Sequence, residues 1–166
     1  MSSVTRLLAR EPQNDRIRYL LAHLYIRLGR VQDGLDLLHP INDAHRTDRS
    51  VVTNTSVNIA QYSDLAWQAT VANDLACLIA QYQPHRLNQA HKIARDALRL
   101  APANPALLDT LGWIEHLQGN HATALRLLNR AVVLANSVPQ IHQHLAATYQ
   151  ALPNPIWAQY HQHPSE

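Results

Sequence analysis

The sequence predicts an all-α chain built from successive helix pairs, and three observations carry that reading. Apolar residues recur at i, i+3, i+4 and i+7 in several separate stretches, the spacing of one buried helix face. These stretches stop at glycine-containing turns and restart beside prolines, the punctuation expected where one helix ends left-handed and the next begins at a fixed φ. The pattern also repeats: Pro105–Asp109 and Pro139–Gln143 lie 34 residues apart and open similar helices.

Taken in order, Val4, Leu7 and Leu8 before Pro12 fit the last turns of a second helix, so residues 1–12 are expected to close a preceding unit. Arg18–Tyr25 reads as a first helix stopped at Leu28-Gly29-Arg30. Val31–Leu38 is its partner, ended by Pro40, and the unit spans 15–41. Residues 42–68 read as an insertion, irregular near 42–64, because Asn42–Ser56 is turn-rich and unpatterned. Either Ser56 caps a helix starting at Val57 or Asp64 caps one starting at Leu65. A long helix from about Leu65 to Tyr82 is the preferred reading and a degenerate extra repeat the alternative. Leu65, Ala66, Trp67, Ala69, Val71 and Ala72 are apolar nearly all round, which predicts burial between neighbours.

The unit 69–104 pairs the helix through Asn73–Ala80 with Leu87–Leu100, across the turn Gln83–Arg86. In 105–138 the first helix buries Leu107, Leu108, Leu111, Ile114 and Leu117 and stops at Gln118-Gly119-Asn120. Its partner buries Ala124, Leu125, Leu127, Leu128, Ala131, Val132 and Leu134. The unit 139–166 opens at Pro139, and Asn154-Pro155-Ile156 has the cap, first-turn proline and apolar residue that begin its second helix.

Composition narrows the function. The 166 residues are 46% hydrophobic but only 16% charged, against about 25% in ordinary soluble domains. No apolar run approaches the roughly 18 residues of a membrane span, and the N-terminus does not open as a signal peptide. A single cysteine, Cys77, excludes an internal disulfide framework and multi-cysteine zinc sites; within Leu75–Ile79 it reads as a small buried hydrophobe. His142/His144 and His161/His163 form two H-x-H pairs, but helical residues two apart diverge, so His142 and His144 are not expected to share an ion. No nucleophile, zinc-protease or phosphate-loop motif is present, so neither enzyme activity nor a cofactor is expected. The six Arg between Arg6 and Arg30 spread over several helix faces without a stacking platform, which argues against nucleic acid. Residues 50–85 contain no Lys or Arg, and 131–165 contain no charged residue at all.

These residues resemble tetratricopeptide repeats. The unit from Pro105 supplies Leu108, Leu111-Gly112, Ala124, Leu128 and Ala131, with Glu115 where an aromatic is usual. The unit from Asp15 supplies Leu21-Ala22, Tyr25, Gly29 and Leu38, with Gly34 in the small-residue slot. The remaining units supply Leu75-Ala76, Ile79, Ala90, Ala94, Ala97 and Pro102, then Leu145-Ala146 and Tyr149. The resemblance implies a right-handed solenoid of about four antiparallel helix pairs, acting as a non-enzymatic scaffold for a peptide or partner helix. By the family's offset, the groove positions are Arg16, Tyr19, His23, Arg27, Asn73, Asp109, Trp113, His116, Gln140 and Gln143, with Gln150 beyond them. The alternative for these side chains is a plain solvated helix face. No Lys is available for the carboxylate clamp of some relatives.

A second function stays open. The uncharged C-terminal end, with Ile156, Trp157 and Tyr160, is expected to be covered, which suits a terminal docking surface for another copy or a partner. The pattern is also similar to bacterial tetratricopeptide proteins of envelope assembly and exopolysaccharide export, where such a chain is a regulatory or assembly module. Cytoplasmic location is expected, or periplasmic if the chain is a fragment of an exported protein.

Overall fold

The computed structural model describes residues 13–47 and 59–152 with Glu11, excepting the side chains of 45–47 and 59–62. Among them are seven α-helices and no strand: α1 (Asp15–Arg27), α2 (Val31–Thr47), α3 (Ile59–Tyr82), α4 (Leu87–Leu100), α5 (Pro105–Leu117), α6 (His121–Leu134) and α7 (Pro139–Gln150). The expected helices at Val4–Leu8 and after Asn154 lie outside the described residues.

Two helix ends are built alike. Gly29 and Gly119 have φ of +76° and +82°, a conformation in which a Cβ is strained. After α1, the amide of Gly29 donates to Ile26 and that of Arg30 to Tyr25; after α5, Gly119 donates to His116 and Asn120 to Glu115. This paired bonding satisfies carbonyls left open by the ending helix and turns the chain back at once. Asn14 and Asn104 begin α1 and α5, each side-chain oxygen accepting from the first turn.

Close approach follows from small residues. A Cβ on Gly112 would stand 2.8 Å from Leu128 Cγ, and one on Gly34 would stand 2.6 Å from Ile26 Cγ1. Helix pairs α1/α2, α3/α4 and α5/α6 pack most closely, and α3–α5 and α5–α7 also touch. The core runs through the stack: Ala22, Leu35, Leu38 and Ile41 join Val71, Leu75, Ile79, Ala90 and Ile114 in one cluster. Leu108, Ala131 and Ile141 extend it to α7.

Several expectations need correction. Pro40 does not end α2, which runs on to Thr47. Proline deprives the Asp36 carbonyl of its donor, but Asp36 and Pro40 both face solvent, while Leu35, Leu38 and Ile41 carry the buried stripe across the proline. The stretch 42–64 is helical at both ends, as far as Thr47 and again from Ile59. Asp64 therefore caps nothing; it lies inside α3, because Ile59–Asp64 contains no Gly or Pro to stop a helix. Finally, Ala66 is exposed and Leu65 and Trp67 half-buried, so only Ala69, Val71 and Ala72 of that apolar stretch are enclosed. Leu117 and Leu134, at the ends of their helices, are exposed as well.

Candidate functional site

Alternate helices α1, α3, α5 and α7 share one face, and two side-chain clusters form on it. In the first, the Tyr19 hydroxyl donates to Asp74 Oδ2 at 2.6 Å, and His23 Nε2 meets the same oxygen at 3.1 Å. The Tyr19 ring stands edge-on to His23 at 4.4 Å and to Trp67 at 4.7 Å. The Arg16 guanidinium lies over Trp67, 5.8 Å from the ring centroid, within cation–π range. Burial, then the bond to Asp74, pushes the Tyr19 hydroxyl pKa well up, so it remains a proton donor.

The second cluster joins α5 to α7. His144 Nδ1 meets Asp109 Oδ1 at 2.8 Å. Trp113 lies nearly parallel to His144 at 4.3 Å and to His116 at 4.7 Å, and His121 of α6 stands 5.1 Å from His116. Burial, followed by the neighbouring His121 and His144, pushes the His116 pKa down. Its neutral ring is the favoured form.

Between the clusters lie Asn73 and Cys77 of α3. Asn73 Oδ1 is buried with no hydrogen-bond partner, and its Nδ2 reaches Asp74 Oδ1 only at 3.5 Å. Cys77 is half-buried rather than enclosed, and burial, then Asp74 and Asp109, raise its thiol pKa. An activated thiol needs the opposite shift.

The two clusters obey one relation. Tyr19 and Asp109 stand two residues before Leu21 and Leu111, whereas Asp74 and His144 stand one residue before Leu75 and Leu145. Each bond thus links the earlier position of one unit to the later position of the next.

Of the sequence-predicted groove residues, Arg16, Tyr19 and His23 meet in the first cluster and Asp109, Trp113 and His116 in the second. Arg27, Gln140 and Gln143 are exposed and join neither. Ile156, Trp157 and Tyr160 lie outside the described residues. Sequence reasoning missed Trp67, Asp74 and His144; for Asp74 and His144 the signal is complementary polarity at the one-residue offset between units. His142 and His144 do diverge: His142 Nε2 meets the Asn136 carbonyl at 2.7 Å, away from Asp109. Among the described residues no group of three His, Cys, Asp or Glu is placed to hold a metal ion. No helix among them is long and apolar enough to cross a membrane.

Glu115, the departure from the repeat pattern, is buried and structural. Its Oε1 meets His91 Nε2 at 2.9 Å and its Oε2 accepts from Asn120 at 2.8 Å. The carboxylate therefore ties α4 to the turn after α5, replacing aromatic packing with two hydrogen bonds.

Residues 2–53 match the family described as Tetratricopeptide repeat. The described helices have the tetratricopeptide-repeat fold. Solved structures share this fold. MamA matches with a TM-score of 0.67 at 15% identity, over 98% of this chain and 82% of that one. TTC0263, a thermophilic tetratricopeptide protein of Thermus thermophilus, matches with 0.67 at 23% identity, over 95% and 75%. BtubC of P. vanneervenii matches with 0.67 at 18% identity, over 89% and 59%. At these identities the likeness is one of fold. No curated protein sequence matches the chain significantly. Tetratricopeptide solenoids typically serve as protein-interaction scaffolds, and the fold of this all-α chain suggests that role.

Proposed function

We propose that this protein binds an extended peptide or partner helix on the face formed by α1, α3, α5 and α7. The observation that carries the reading is the pair of aromatic clusters on that face, each locked by a bond between units, Tyr19 to Asp74 and His144 to Asp109. Aromatic side chains held in place before binding lose little freedom on contact, which favours affinity. Pull-down with wild type, Tyr19→Ala and Trp113→Ala tests the proposal. Both variants are expected to lose the partner; if both keep a partner that deletion of 1–12 or 153–166 releases, the groove reading is wrong.

A second reading makes the chain an assembly subunit that docks through its ends. Val133, 84% exposed, and Leu134 on α6, with Val138 just beyond, supply an apolar surface for it. Sedimentation over a concentration series tests this: a concentration-independent monomer removes self-association.

A further inference from the structure

From α3 onward the charges are sorted by helix, whereas α1 carries Arg16, Arg18 and Arg27 against Asp15. Helices α3, α5 and α7 carry four carboxylates (Asp64, Asp74, Asp109, Glu115) and no Lys or Arg. Helices α4 and α6 carry five cations (Lys92, Arg95, Arg99, Arg126, Arg130) against Asp96. On the face shared by α3, α5 and α7, Asp74 is held by the Tyr19 hydroxyl and the His23 ring and Asp109 by the His144 ring, rather than by Lys or Arg.

The molecule also fills one aromatic seat with its own guanidinium. Arg16 lies over Trp67 beside the Tyr19–Asp74 bond. Around Asp109 the second Trp ring, Trp113, has the imidazoles of His116 and His144 stacked on it at 4.7 and 4.3 Å in place of a guanidinium, and α5 and α7 carry no Lys or Arg. A cation beside both a Trp ring and a carboxylate gains from each, and more as water is excluded.

From this we infer that the groove takes an extended segment bearing Arg or Lys side chains, one of them seated between Asp74 and Asp109 alongside Cys77 and Trp113. Cys77 and Trp113 occupy equivalent places, each two residues after its unit's repeated leucine, Leu75 or Leu111. The cation therefore meets the carboxylate and the ring of successive units together. A segment ending in a carboxylate meets two like charges there and is disfavoured. The inference rests on the groove reading above.

The probes are three short soluble peptides of equal length, alternating Gly with Arg, Glu or Ser, added to the isotope-labelled full chain and followed by amide NMR shifts. The Arg peptide is expected to shift Asp74, Cys77 and Trp113 saturably, and added salt to weaken it. Asp74→Asn is expected to weaken binding about threefold or more, as loss of one partly exposed charge pair does. Asp109→Asn, with folding checked by circular dichroism, is expected to act in the same direction. No shift from the Arg peptide, or an equal response to the Glu peptide, overturns the cation assignment. If the Glu or Ser peptide shifts these residues and the Arg peptide does not, groove binding survives without the cation. Shifts confined to α4 and α6 remove the groove reading itself.

Discussion

In the α1–α3 cluster the earlier helix donates and the later accepts, through Tyr19 and Asp74; in the α5–α7 cluster the carboxylate lies on the earlier helix, as Asp109, and the ring on the later, as His144. The positions within the repeat are the same and only the polarity is exchanged. Burial differs too: the Asp74 side chain is 24% exposed and that of Asp109 only 9%. The solenoid thus specifies where a cross-unit bond forms, while the residue types decide its sign and how strongly its loss is felt. An exposed carboxylate that loses its partner is rehydrated, whereas a buried one is not.

The largest effects are expected at the two glycine crossings. Gly112→Val places a branched side chain against Leu128, which is fully buried and has nowhere to go. Overpacking of this kind is expected to cost about 3 kcal/mol in urea unfolding. In the first region, Gly34→Val meets Ile26 Cγ1 at 2.6 Å and the Ala22 backbone carbonyl at 3.0 Å, and a loss at least as large is expected. A clearly smaller loss at Gly34 would show that the α1–α2 crossing yields more easily.

Next come the carboxylates. Asp109→Ala leaves His144 partly buried without its acceptor and is expected to cost about 2 kcal/mol. Asp74→Ala, in the more exposed cluster, is expected to cost less than about 1 kcal/mol. Equal losses in denaturant titrations would sink the argument from burial.

Much of this framework was legible in the sequence, for identifiable reasons. Gly29 and Gly119 marked real helix ends because only a positive φ closes those turns, and Gly112 and Gly34 marked crossings because a Cβ does not fit. Pro40 misled because a proline breaks a helix only when the lost bond or the ring clash matters, and here Asp36 and Pro40 face water. Tyr19, His23, Asp109, Trp113 and His116 followed from the repeat offset. Asp74, Trp67 and His144 did not, because side-chain reach across adjacent units decides those contacts, and a repeat pattern aligned unit by unit does not encode that reach.

Acid should separate the regions further. Two histidines have pKa values pushed down by burial, His39 of α2 and His116 of α5. A histidine held below its unfolded pKa binds more protons once unfolded, so stability falls as pH drops below about 6.5. His39 is also lowered by Arg86, but Asp43 and Asp36 oppose the shift. Around His116 the neighbouring His121 and His144 only reinforce it. His116→Gln is therefore expected to relieve more of the acid-side loss than His39→Gln, measured as urea midpoints at about pH 7.5 and about pH 5.5. A larger relief from His39→Gln would place the sensitive region at α2 instead.

The smallest change probes the shared relation itself. Tyr19→Phe keeps the ring against Trp67 and His23 but removes the hydroxyl donated to Asp74. His23 still meets the same carboxylate oxygen, and Asp74 retains access to water. The expected loss is therefore about 0.5 kcal/mol, the low end for a single hydrogen bond. The mirror experiment, His144→Phe, keeps a ring beside Trp113 but strips Asp109 of the ring donor it has across the units, so its cost should be clearly larger. Unfolding of both variants and of the double variant checks additivity, since the two bonds share no residue and independent sites add within about 0.5 kcal/mol. A strong coupling between them would mean that α3–α5 contact transmits strain along the face, and that the two clusters act as one surface.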